Sequence, residues 1–309
     1  MNNAKKLIHM PADTLYTGRG IGIAFLDTGI FLHRDFTDPI YRIAAFKDFI
    51  SGLSGPYDDN GHGTHICGIA GGSGITSNGR FSGIAPQCHF IVGKVLDASG
   101  NGTIAAVTEG ISWVIENRKR LNIRVLNISI GAEDTEGAGE SSVLVKSVDA
   151  AWDCGLVVVV AAGNNGPKPM SVTTPGISRK VITVGCSDDS RLVDMGGRKI
   201  SNYSGRGPTR SCVIKPDIVA PGSNIMSCSN RKSFGQFTYT HRSGTSMATP
   251  IISGTAALLL EKYPGLSNSD VKMRLGKSCD DLGFSRYKQG LGRINVSRLL
   301  YAGQEAPSF

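Results

Sequence analysis

Short apolar runs alternate along the chain with amphipathic stretches. Residues 21–27, 90–96, 125–130, 156–161, 181–186 and 217–220 read as strands, and several are apolar on both faces. Strands of that kind belong to a parallel sheet covered on both sides. Between them, Ile104, Val107, Ile111, Val114 and Ile115 recur at helical spacing, as do Leu144, Val148 and Trp152. Ser267-Asn268-Ser269-Asp270 has the form of a capping box ahead of a further helix, and residues 251–260 have an apolar helix pattern. The alternation predicts an α/β fold, a doubly wound, mostly parallel sheet with helices on both faces. No repeat or linker divides it. The expected organisation is a short N-terminal extension over residues 1–16 and a single domain over 17–309. Residues 1–12 and the tail after Tyr301 are expected to be peripheral.

Composition narrows the function classes. Glycine accounts for 40 of 309 residues, against a usual share of ~7%, which implies many tight turns and close backbone approaches. Thirty-three Lys and Arg against 25 Asp and Glu give a net charge of +8. Such a charge is compatible with an acidic partner, but no basic face interleaved with aromatic residues is present, so no nucleic-acid role is expected. The densest basic cluster, Arg118-Lys119-Arg120, closes a predicted helix, where cations are favoured anyway. The seven cysteines are widely spaced and form no CxxC pair, which speaks against structural zinc and for reduced thiols. No secretory apolar core and no membrane-length run is found. The chain is therefore expected to be cytoplasmic, without membrane partners.

Three segments carry candidate chemistry. The first strand ends in Asp27-Thr28-Gly29, and ligands of open α/β sheets bind beyond the carboxyl ends of strands. That Asp could orient a reacting group or merely cap a helix. Residues 58–65 read Asp-Asp-Asn-Gly-His-Gly-Thr-His. His62 and His65 lack the further ligands zinc needs, whereas a catalytic imidazole needs only an orienting carboxylate and a nucleophile. Residues 243–250, Ser-Gly-Thr-Ser-Met-Ala-Thr-Pro, put Ser246 at or near a helix N-terminus, where backbone N–H groups favour developing negative charge.

Asp, His and Ser in this chain order are the arrangement known from subtilisin. With DTG, GHGTH and GTSMATP nearly intact, the sequence from about residue 17 to 300 resembles the subtilisin-like serine proteases (subtilases). The resemblance implies a serine endopeptidase acting on proteins or peptides through Asp27, His62 and Ser246 and an acyl-enzyme. It makes Asn164, within Ala161–Gly166, a donor to the oxyanion beside the Ser246 N–H. It makes Gly100, Asn101, Gly102 and Ser129, Ile130, Gly131 the strands that flank an extended substrate, and puts Thr173 near the bottom of the S1 pocket, where relatives often have Gly. Residues 94–96, 127–131, 203–208, 215–222 and 292–296 also match family patterns. No cofactor is implied for the chemistry. A structural calcium is implied, with Asp35 as candidate ligand, although the loop 71–83 offers only Asn78 as an obvious side-chain ligand.

Cys67 follows His62 closely; it is either a thiol that sensitises the site or a small buried residue. Only about 16 residues precede the matching region, and residues 5–10 could lie across the active site or fray. Asp58 and Asp59 could favour a basic residue at P2. The alternative from another class is a catalytically silent subtilase-like binding or regulatory protein. The presence of Asp27, His62, Ser246 and Asn164 weighs against it.

Overall fold

Every residue of β1 (Gly22–Asp27) is buried, as in a strand covered on both faces. The computed structural model describes residues 1–131 and 139–302. Around β1 lie β2 (Ile43–Asp48), β3 (His89–Lys94), β4 (Ile123–Ile128), β5 (Val157–Ala161), β6 (Ile182–Cys186) and β7 (Ile218–Ala220). A separate antiparallel hairpin follows, β8 (Ile225–Ser233) and β9 (Gln236–Arg242). Two short strands, β10 (Cys279–Asp280) and β11 (Arg293–Ile294), complete the main sheet. Its order is β10-β11-β7-β6-β5-β4-β1-β3-β2, parallel except for β10 against β11.

The main helices are α1 (Asn2–Leu7), α2 (His62–Gly71), α3 (Ile104–Asn117), α4 (Val143–Asp153), α5 (Thr245–Lys262), α6 (Asn268–Lys277) and α7 (Val296–Tyr301). Helix α2 packs with α5, and α3 with α4, so each face of the sheet has its helix layer. Helix α5 is buried almost all round, which explains its apolar run without a polar stripe. The capping box of Ser267 and Asp270 opens α6. Each strand expected from the sequence is found within two residues of its expected ends. The fold is the expected α/β arrangement.

The N-terminal segment differs from expectation. Residues 1–12 are not peripheral: Met1, Ala4 and Ile8, spaced to share one helical face, are buried in the main core. The backbone carbonyls of Ile8 and His9 accept from the N–H groups of Val296 and Ser297, and Lys5 Nζ donates to Ser82 Oγ at 2.7 Å. The tail from residue 303 lies outside the described residues. Among the described residues, no helix is long and apolar enough to cross a membrane.

Candidate active site

The carboxyl ends of β1, β4 and β5 converge with α2 and the start of α5. Asp27, the last residue of β1, is fully buried, and its Oδ1 lies 2.7 Å from His62 Nδ1. A carboxylate only accepts, so the hydrogen sits on Nδ1 and Nε2 is left for the cleft. This approach needs glycine at position 63, where a Cβ would lie 2.2 Å from the Gly29 carbonyl oxygen and 3.2 Å from Asp27 Oδ1. Thr28 Oγ1 accepts the Gly63 N–H at 2.9 Å and donates to Asp58 Oδ1 at 2.9 Å, which locks the strand end to the helix start.

Asp58 is buried and takes further hydrogen bonds from the N–H groups of Asn60, Gly61 and Thr64 and from the Thr64 hydroxyl. Its carboxylate is spent inside the fold. Asp59 pairs with the buried Lys94 Nζ at 2.7 Å, and Lys94 also donates to the carbonyls of Thr28 and Leu96. Asp58 therefore has a structural role in place of the expected attraction of a basic P2 residue, and the exposed Asp59 has its charge offset by Lys94. His65 points away from the cleft, with Nε2 3.0 Å from the Ile225 carbonyl and 3.1 Å from that of Thr240. Burial pushes its pKa down to about 3, with Arg242 and His62 adding to the shift. Cys67 is fully buried and burial raises its thiol pKa, Asp27 and Asp58 contributing, so it fills space as a neutral side chain.

Ser246 is the second residue of α5, after Gly244 as N-cap with φ +143°. Its hydroxyl donates to the Ser129 carbonyl at 2.9 Å. Four residues on, Pro250 lacks the N–H that would bond the Ser246 carbonyl. Ser129 Oγ supplies that hydrogen bond instead, at 3.2 Å. A buried relay stands behind it: Ser253 Oγ donates to Asn127 Oδ1, and Asn127 Nδ2 to Ser129 Oγ, both at 2.9 Å. The end of β4 is thereby bolted to the first turns of α5.

Asn164 follows β5. Its Oδ1 accepts the Thr245 N–H at 3.0 Å and the Thr245 hydroxyl at 3.1 Å, so its NH₂ end is the one left for the cleft. His62, Asn164 and Ser246 line one cavity of about 530 Å³. Gly100, Asn101, Gly102, Ile130 and Gly131 border a second cavity of about 220 Å³, with apolar Leu96, Ile104 and Val107; Ser129 stands beside it, against Ser246. Thr173 is buried between Gly131, after β4, and Gly163, after β5: its Oγ1 lies 2.3 Å from where a Gly131 Cβ would be and 2.4 Å from that of Gly163.

Asp35 stands apart from the cleft, buried. Its Oδ1 accepts the Thr76 N–H, and its Oδ2 the Gly74 N–H at 3.1 Å, the Tyr239 hydroxyl at 2.9 Å and the Cys228 thiol at 3.6 Å. His33 and Cys228 approach it closely enough to raise the question of a metal. But His33 Nδ1 accepts the Asp35 N–H, and its Nε2 lies 3.2 Å from the Thr238 carbonyl. Calcium takes six to eight oxygen ligands; Asp35 faces a ring of donors, so these residues do not fit calcium. Tyr239 and Cys228 were not legible in the sequence as partners of Asp35, because they arrive on the polar hairpin β8–β9.

Residues 18–293 match the Subtilase family. The chain is 41% identical to serine protease AprX of Bacillus subtilis (strain 168) over 278 residues, 85% of this chain, and spans 62% of AprX's length. It is 35% identical to subtilisin DY of Bacillus licheniformis over 284 residues, 91% of each protein. Among solved structures, the S41 psychrophilic protease superposes with a TM-score of 0.79 at 31% identity, covering 95% of this chain and 97% of that one.

Proposed function

This chain belongs to the subtilase family of serine proteases, and on that premise we propose that it is an endopeptidase whose triad is Asp27, His62 and Ser246, with Asn164 in the oxyanion hole. The observation that supports this most is the 2.7 Å contact between Asp27 and His62 in the cavity where Ser246 opens a helix beside Asn164.

Ser246 Oγ turns from the Ser129 carbonyl toward His62 Nε2, gives it the proton and attacks the peptide carbonyl carbon. Asp27 keeps the Nδ1–H tautomer and stabilises the imidazolium. The oxyanion takes the Asn164 NH₂ and the Ser246 N–H, at the positive end of the α5 dipole. His62 then protonates the leaving amine as the C–N bond breaks, and water resolves the acyl-enzyme by the reverse sequence. The acyl half of an extended peptide lies between residues 100–102 and 129–131, with an apolar side chain in the cavity formed by Leu96, Ile104 and Val107. Thr173 makes the pocket before the scissile bond shallow and favours a small residue there.

Asp35 holds the 71–83 loop as a hydrogen-bond acceptor in place of a calcium ligand. The chemistry uses no cofactor. A fluorophosphonate probe followed by peptide mapping tests the assignment: modification at Ser246 supports it, and an unlabelled Ser246 in folded protein contradicts it.

A further inference from the structure

Past the triad, the cleft changes character. The cavity on the acyl side is lined by Leu96, Ile104, Val107 and Ile130. The one reached from Ser246 and His62 is walled by the hairpin β8–β9, which brings Arg231, His241 and Arg242 to it. With the acyl half of the substrate on the glycine segments, this second cavity faces the leaving-amine half.

Arg242 is half-buried there, and its Nη2 reaches only the Asn60 carbonyl at 3.4 Å. Neither Arg242 nor Arg231 forms an ion pair with a described residue. Burial lowers the Arg242 pKa, although Asp58 and Asp27 pull the other way. Among the described residues, Asp194 is the one carboxylate in the lining, and its Oδ1 already accepts the Gly197 N–H at 2.9 Å. A guanidinium has five N–H donors and suits a carboxylate bidentately. One long contact to a carbonyl leaves most of that capacity unused in a partly desolvated place, where a charge-assisted hydrogen bond is strongest.

We propose that Arg242, with Arg231, forms a subsite for Asp or Glu side chains in the first residues after the scissile bond, so that this protease selects peptides with acidic leaving segments. The proposal rests on the reading of Ser246 as nucleophile and of the glycine segments as the acyl side. Arg242 is a specificity residue here and takes no part in bond making.

The test uses peptides with one common acyl half and leaving halves that begin Ala-Glu, Glu-Ala, Ala-Lys or Lys-Ala. In parallel, the acyl-enzyme formed from one ester is partitioned between water and the amides Ala-Glu-NH₂ and Ala-Lys-NH₂, which enter from the leaving side. The wild type is expected to favour the better-placed Glu over Lys by about five- to tenfold in kcat/KM and in aminolysis, as a single charge-assisted contact supplies. The ratio should shrink at high salt. Arg242→Glu should invert it and Arg242→Lys should keep its sense. Arg231→Glu, at an exposed position, should reduce it and serves if Arg242→Glu does not fold. Equal rates for Glu and Lys in the wild type, or an unchanged ratio in folded Arg242→Glu, overturn the subsite while leaving the protease assignment intact. Absence of both cleavage and a Ser246 acyl-enzyme overturns the underlying reading and the subsite with it.

Discussion

At the scale of single residues, most of the candidate chemistry was legible because its spacing is rigid: a carboxylate at a strand end, a histidine between glycines, a serine at a helix start. The partners that hold these groups were not legible. Asn164 illustrates the difference. Its place in a glycine-rich turn fits an αL turn residue equally well, and only the Thr245 contacts settle which end of its amide faces the cleft. Asn164→Ala should lower kcat by about 10²–10³ with KM little changed, because a donor to the oxyanion acts mainly in the transition state. Steady-state kinetics check this, and a loss confined to KM would argue for a substrate-positioning role.

His65 makes a second residue-scale prediction. Two carbonyls claim its Nε2–H, and Nδ1 is buried without a partner among the described residues. The folded protein keeps it neutral down to about pH 3, while an unfolded histidine takes a proton near pH ~6.5. Between those values the unfolded state binds more protons. Stability therefore rises with pH across that window and is lost as pH falls, by up to about 1.4 kcal/mol per pH unit from this group. His65→Gln can still donate to the same carbonyls but cannot take up the proton. Its melting temperature should fall less steeply below pH 6, and an unchanged acid slope would remove His65 as the cause.

At the scale of elements, the buried parallel strands announced themselves by composition, whereas β2 and the β8–β9 hairpin did not. β2 is an edge strand with exposed and intermediate positions, and the hairpin is built from Ser, Asn, Lys, Gln, Thr and His with few apolar anchors. A polar hairpin is defined by what it packs against, which only the fold supplies. It carries Tyr239 and Cys228 to Asp35 and the two arginines to the cleft. Because Asp35 is surrounded by donors, a strong chelator should leave the melting temperature unchanged, while Asp35→Asn should lower it by weakening the hold on Gly74 and Thr76. A marked drop on chelation alone would restore the calcium reading.

At the scale of the whole molecule, the resemblance in three motifs anticipated one sheet and one cleft. It gave the N-terminal segment too little weight, because Met1, Ala4 and Ile8, scattered in a polar stretch, look like a frayed end. Their spacing is helical, and burying Ile8 alone is worth roughly 1.5–3 kcal/mol. None of residues 1–16 lines the cavity beside the triad. Removing residues 1–8 should therefore lower the melting temperature by several degrees and leave the initial rate no higher. A faster enzyme after truncation would instead support an inhibitory segment. On the proposed assignment, one hydroxyl, oriented by one imidazole and one carboxylate, cleaves peptide bonds. Initial rates of peptide cleavage by wild type and Ser246→Ala, each with its thermal melt, test this. The expected result is a fall to background in a variant that melts like the wild type; comparable cleavage by both would contradict it.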